Sequence, residues 1–165
     1  MITIHPARTE QVQQIKSLLS RSWVDTYGAL LPESVIQTAT TTWHAIDALR
    51  AQIEHEGVYF PIAQNTEGEI VGLATASLRE DVLILGRLYV DPGQQRQGIG
   101  GRLLQSAIDA HPTARKIRLE VERDNTKGYN FYKKMGFVEA GEQAVTIADV
   151  VVPVVTMEML IHTGE

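Results

Sequence analysis

One turn of this chain has the chemistry of an anion cradle. In Gln95-Arg96-Gln97-Gly98-Ile99-Gly100-Gly101 a polar turn runs directly into glycines that open an amphipathic helix. The first N–H groups of a helix have no partners within it, and the helix dipole adds positive potential at that end. Glycines let a diphosphate approach the backbone where a Cβ would block it, and Arg96 adds a fixed charge beside the turn. The turn is not a P-loop, because no Gly-Lys-Ser/Thr follows. The dinucleotide fingerprint also fails, since the turn follows a meander rather than the first strand of a βαβ unit. A plainer reading of the same glycines is that they let a helix start close to a strand.

Other residues have types suited to chemistry. Glu120 and Glu122 alternate along a strand-like run and share a face, either as a base acting through water or as solvated charges. Tyr132 lies at helical spacing with Phe131 and Met135, and Asn125 stands where it can cap that helix. His5, His44, His55, His111 and His162 show no metal-ligand spacing, so no metal is expected. Ser20 and Ser22 lie on a helix without a nucleophile elbow. There is no cysteine, which removes disulfides, thiolate zinc sites and a cysteine nucleophile.

The elements that must position these residues follow from periodicity. Ile2 to Ile4 reads as a short strand, and Thr9 as the cap of a helix carrying Val12, Ile15, Leu18, Leu19 and Trp23. Pro32 opens a short helix through Val35 and Ile36, and a third helix starts near Thr42 and stops before Gly57. Three runs with short connections, Val58 to Gln64, Glu69 to Leu78 and Val82 to Val90, form an antiparallel meander. A helix from Gln97 to Ala110, a strand from Lys116 to Val121 and a helix from Asn125 to Met135 come next. Strands near Phe137–Ala140 and within Val150–Leu160 finish the chain, and Pro153 places the last at an edge or a bulge. The fold class is α+β: a mixed, mainly antiparallel sheet of six to seven strands flanked by helices.

The 165 residues fit one domain, 1–165. A net charge of −5 argues against nucleic acid, and no apolar run approaches the ~20 residues of a membrane span. The N-terminus lacks a basic start followed by an apolar stretch, so a soluble, cytoplasmic protein is expected.

Gln95-x-x-Gly98-x-Gly100 resembles the Q/R-x-x-G-x-G/A signature of the GNAT superfamily of N-acetyltransferases. Ahead of it, Leu88-Tyr89-Val90-Asp91-Pro92 looks like the strand end that family carries there. Asn125-x-x-Gly128-x-x-Phe131-Tyr132-x-x-x-Gly136-Phe137 is similar to its second signature, at the expected distance. The resemblance implies an acyl-CoA N-acyltransferase fold and transfer of acetyl from acetyl-CoA to a primary amine in a ternary complex. It places the coenzyme diphosphate on the backbone of Gln95, Arg96, Gln97, Gly98, Ile99, Gly100 and Gly101. The pantetheine arm would run along Leu88 and Val90, with Asn125 and Tyr132 as further coenzyme contacts. The Val90 N–H would stabilise the oxyanion, and Tyr132 would protonate the departing thiolate.

The family's usual glutamate on this strand falls at Gly86 here, a departure that leaves the base to Glu120, acting through water, or to Glu122. In the family the acceptor site is built by the first two helices and a loop near the last strands. Trp23, Tyr27 and Glu33, with Asp25, would then suit an alkylammonium group by cation–π and ionic contact. Trp23-x-x-x-Tyr27 followed by Leu31-Pro32-Glu33, and the Met157-x-Met159 strand, resemble some polyamine acetyltransferases, which makes a small polyamine-like amine one candidate acceptor. Trp23 and Tyr27 read equally well as core residues that hold the two helices together. A peptide or protein acceptor, and a coenzyme-binding sensor with little turnover, stay open. A homodimer is also consistent with the resemblance.

Overall fold

The three alternating runs before the glycine turn do pair as an antiparallel meander, and the sheet they begin extends through the later strands. The computed structural model describes residues 1–94 and 97–161. Within them, strands β1 (Thr3–Pro6), β2 (Pro61–Gln64), β3 (Ile70–Arg79), β4 (Val82–Val90), β5 (Lys116–Glu122), β6 (Val138–Ile147) and β7 (Val150–Leu160) make one seven-stranded sheet. Its order is β1-β2-β3-β4-β5-β7-β6, antiparallel throughout except for the β4–β5 pair. This is the mixed, mainly antiparallel α+β architecture expected from the sequence.

Helices cover both faces. On one face α4 (Ile99–Asp109) turns Ile99, Leu103, Leu104 and Ala107 into a core shared with Leu83, Leu85, Ile117, Leu119 and Val121. Burying a large aliphatic side chain of this kind contributes roughly 1.5–3 kcal/mol, so this stripe anchors the helix firmly. The helix α5 (Thr126–Met135) lies on the same face, with Tyr132 packed against that core. On the other face α1 (Val12–Tyr27) and α3 (Ile46–Glu54) pack Ile15, Leu18, Leu19 and Leu49 over Ile62 and Leu73. Trp23 and Tyr27, at the C-terminal end of α1, form a separate cluster with Ala39.

Three local expectations change. The first helix is not capped by Thr9: Thr9–Gln11 is a 3-10 turn, and the Gln11 side-chain oxygen accepts the Arg8 N–H at 2.9 Å. After α2 (Glu33–Thr38) the chain stays wound as a π-turn over Ala39–Trp43, so α3 begins at Ile46 rather than near Thr42. The Thr40 and Thr41 hydroxyls donate to the Ile36 and Gln37 carbonyls, one turn back, which keeps this segment coiled. Pro153 lies neither at an edge nor at a bulge, because β7 runs between β5 and β6 and Pro153 pairs with Ala144. Its carbonyl accepts the Arg123 N–H at 2.9 Å, one residue past the end of β5. In an antiparallel strand the N–H and C=O of one residue point the same way, so the missing donor falls where the β5 ladder has already ended.

Candidate active site

The site is a wedge in the sheet. β4 and β5 are paired only from Val82↔Lys116 to Ile84↔Arg118, and beyond that point Leu85–Val90 and Leu119–Glu122 form opposite walls of a cavity of about 690 Å³. A β-bulge sets what each wall presents. Thr75 pairs with Arg87 while Ala76 pairs with Leu85, so Gly86 is the extra residue. A Cβ there would stand 2.9 Å from the Thr75 hydroxyl, which explains a glycine at the place where the resemblance would put a glutamate. The extra residue reverses the alternation of β4. Leu85, Leu88 and Val90 therefore share the α4–α5 face, whereas Tyr89 packs toward α1. On β5 Leu119 and Val121 take the α4–α5 face, leaving Glu120 and Glu122 to the face of α1 and α2.

Backbone and glycines shape the α4–α5 side. Gly98 caps α4 in the left-handed region, at φ 74°, a conformation that costs glycine little. Gly100 is needed for a close approach, since a Cβ on it would meet Phe131 Cζ at 3.1 Å. Gly98, Ile99, Gly100 and Gly101 all line the cavity, with Leu88 and Val90 across from them. Gln97 does not line it; its side chain donates to Gln94 Oε1 at 3.1 Å. Gln95 and Arg96 lie outside the described residues. Two cations not singled out in the sequence, Lys127 and Lys134, line the cavity from α5. Their seven-residue spacing, two helical turns, was the available signal.

Asn125 and Tyr132 join the two sides. Asn125 caps α5 by accepting the Gly128 N–H at 3.0 Å, and its Nδ2 donates to Tyr27 Oη at 3.2 Å. The Tyr132 ring is held edge-on between Phe131 and Phe137, with centroids 5.2 and 5.5 Å away. Its hydroxyl makes no hydrogen bond among the described residues. Burial, then the neighbouring Tyr89 and Glu122, push its pKa above the ordinary phenol value, so it holds its proton at neutral pH.

The α1–α3 side is built from polar and aromatic side chains. Tyr27 donates to Glu122 Oε2 at 2.5 Å, and Trp23 Nε1 donates to Tyr89 Oη at 2.9 Å. Trp23 and Tyr27 are both buried, their ring centroids 4.6 Å apart, and both line the cavity. Burial, followed by the charges around them, raises the pKa of Tyr27 and of Tyr89, so both remain neutral hydrogen-bonding groups. Glu120 lines the cavity but is exposed, and Glu122 is half-buried. Glu33 stands apart, exposed in the first turn of α2 and outside the cavity lining.

Sequence reasoning also missed Arg87 and His44. Arg87 Nη1 donates to Gln52 Oε1 and Nη2 to the Trp43 carbonyl, the latter at 3.0 Å. His44 is buried, with no partner for Nδ1, and its pKa falls to about 4 through burial and then the charges of Arg87 and Lys16. The Arg87 guanidinium is itself pushed below its ordinary value by burial. No local motif marks either residue, because their partners lie more than thirty positions away in sequence or arrive through a backbone carbonyl.

A wedge between two parallel strands, glycines at a helix start on one face and a proton-holding tyrosine beside them define an acyl-transfer fold. The sequence profile of the Acetyltransferase (GNAT) family matches residues 13–137, and the chain belongs to that family. Over 57 residues it is 44% identical to a probable N-acetyltransferase, Rv2775, of Mycobacterium tuberculosis, a match covering 34% of this chain and 32% of that protein. It is 34% identical over 83 residues to the ribosomal-protein-bS18-alanine N-acetyltransferase of Escherichia coli, covering 49% and 55% of the two. The chain spans between about a third and two thirds of the length of the curated relatives it matches. Among solved structures, the PaiA N-acetyltransferase of Thermoplasma acidophilum, in complex with coenzyme A, superposes with a TM-score of 0.84. That likeness covers 98% of this chain and 99% of the other at 22% identity, and it shows the acyl-CoA N-acyltransferase fold.

Proposed function

We propose that this chain is an acetyl-CoA-dependent N-acetyltransferase that delivers acetyl to a primary amine by direct attack within a ternary complex. The observation that carries this reading is the β4–β5 wedge, open to backbone and glycines on one face and to carboxylates and aromatics on the other. The cavity fits a coenzyme on the first face: Gly98 and Gly100 leave the start of α4 open where side chains would intrude, and Lys127 and Lys134 add positive charge. Gln95 and Arg96, with Gln97 to Gly101, complete the proposed diphosphate contacts. Acetyl-CoA supplies the acyl group as an activated thioester.

The chain's own residues divide the remaining work. Leu88 and Val90 align the pantetheine arm, and the Val90 N–H steadies the oxyanion as the amine nitrogen bonds to the acyl carbon. The C–S bond breaks, and the thiolate takes a proton from Tyr132, which burial keeps protonated at neutral pH; the second proton leaving the amine nitrogen, relayed by solvent, restores the tyrosine. The ammonium proton of the acceptor goes to a β5 carboxylate, either Glu120 through water or Glu122. Both face the acceptor side, so an amine entering past Trp23 and Tyr27 would meet them. These aromatic faces and carboxylates support a small polyamine-like amine as the starting candidate for the acceptor.

A peptide acceptor is the second reading, favoured by the similarity to the bS18-alanine N-acetyltransferase. Incubation with acetyl-CoA and pooled small amines, read by thiol release, tests the proposal. Tight coenzyme binding with no turnover of any amine or peptide would leave a sensor instead.

A further inference from the structure

The acidic end of the acceptor side accounts for an ammonium group, but the far end does not match a second one. Arg87 projects there from β4 and is held by two contacts, Gln52 Oε1 and the Trp43 carbonyl. A guanidinium has five N–H donors in a planar fork, so these anchors leave several unused. Among the described residues no carboxylate lies within ion-pair distance of it, and no other hydrogen bond engages it. A partly buried charge of this kind is ordinarily paired, because removing it from water without a partner is costly.

Its surroundings offer no substitute. His44 is kept neutral, so it neither supplies a counter-ion nor competes for one. The His44 Nδ1 and Ser22 Oγ atoms are buried without hydrogen-bond partners, and both residues line the same cavity as Arg87. A guanidinium that lines the cavity with donors to spare and no carboxylate partner among the described residues describes a place for an oxyanion. An ammonium group there would meet Arg87 as a like charge.

We infer that the acceptor is a small primary amine that also bears a carboxylate, the carboxylate held by Arg87 and the amine presented to the β5 carboxylates near Glu122. This rests on the acetyl-transfer reading of the cavity. Arg87 and Val90 are three residues apart on β4, which is roughly 10 Å at about 3.3 Å per residue. The carboxylate and the reacting nitrogen are therefore separated by several atoms, as in an ω-amino acid, and not joined to one carbon. Tyr89 lies between the two ends, its hydroxyl fixed by Trp23.

The test compares ω-amino acids with α,ω-diamines matched in chain length, using the full chain, acetyl-CoA and thiol release. The expected result is a kcat/KM for the amino acids about tenfold or more above that of the matched diamines, reflecting the charge-assisted contact. Arg87→Gln should abolish that preference while leaving a simple alkylamine, which has no carboxylate, within about twofold of the parent. A preference for diamines, or an equal loss on every acceptor, overturns the inference. A readout free of turnover separates the two readings: N-acetylated ω-amino acid titrated calorimetrically into the coenzyme A complex. If no amine is acetylated yet this product binds in an Arg87-dependent way, the transfer reading falls while the carboxylate site at Arg87 stands. Binding that ignores Arg87→Gln sinks the inference whatever the turnover.

Discussion

The two sides of the wedge are made of different materials. The α4–α5 side presents backbone, glycines and the ends of lysines, drawn from two continuous stretches that each read as one motif. The α1–α3 side presents hydroxyls, rings and charges gathered from α1, the Ala39–Trp43 turn, β4 and β5. A donor common to a whole family can be held by main-chain groups, which no substitution removes. An acceptor that differs between relatives must be chosen by side chains, which substitution changes freely. The Tyr27–Glu122 and Trp23–Tyr89 hydrogen bonds tie α1 to the strands, so the choosing side is also a structural seam.

The largest test strikes the backbone side. Gly98→Asp places a negative charge where the diphosphate is proposed to sit, and coenzyme affinity by calorimetry should fall by more than about a hundredfold. Binding within threefold of the parent would remove the diphosphate site from α4. Tyr132→Phe should lower kcat by about a hundredfold while leaving coenzyme affinity within about twofold. Because burial raises the Tyr132 pKa, its proton-bearing form persists upward through its ordinary value, so no alkaline limb of kcat below about pH 10 should belong to it. An alkaline limb near neutrality that vanishes in Tyr132→Phe contradicts that assignment.

On the other side, Glu122→Gln should reduce kcat about tenfold or more, and also cost roughly 1–2 kcal/mol of stability through the weakened Tyr27 contact. Glu120→Gln, at an exposed position, should change kcat less; the reverse order transfers the base role to Glu120. The smallest effect concerns His44. Its folded pKa of about 4 lies below the ordinary 6.5, so between those values the unfolded chain binds a proton that the folded chain refuses. Stability should therefore fall as pH drops from about 6.5 to about 4, and His44→Gln should flatten that slope in thermal melts. An unchanged slope would assign it to other groups.

The parts legible in the sequence were those encoded locally. The meander, α4, β5 and α5 follow from short periods and clear stops, and the anion turn follows from glycines within a few positions. The hairpin after β6 was obscured because Ala148 and Asp149 take positive φ, 50° and 65°, without the usual glycine. β6 therefore runs on to Ile147 rather than ending near Ala140. Glu33 has the right chemistry but the wrong position, since α2 points it to solvent. Arg87 was invisible for a different reason: with Leu83 and Leu85 facing the core, simple alternation sends residue 87 inward as well. A single unpaired glycine in the register with β3 changes that answer, and no pattern within β4 announces it.

That glycine gives β4 the logic of a reading frame. The strand is two gratings joined half a period out of step, the first phased for the core and the second for the wedge. Pairing Gly86 with Thr75, so that no residue is skipped, would restore one continuous phase, turning Arg87 and Tyr89 toward the aliphatic core and Leu88 and Val90 toward the acceptor. No residue type would be lost, yet both walls would exchange their chemistry. The sidedness of the cavity is thus carried less by the identity of its residues than by a one-residue offset in their count.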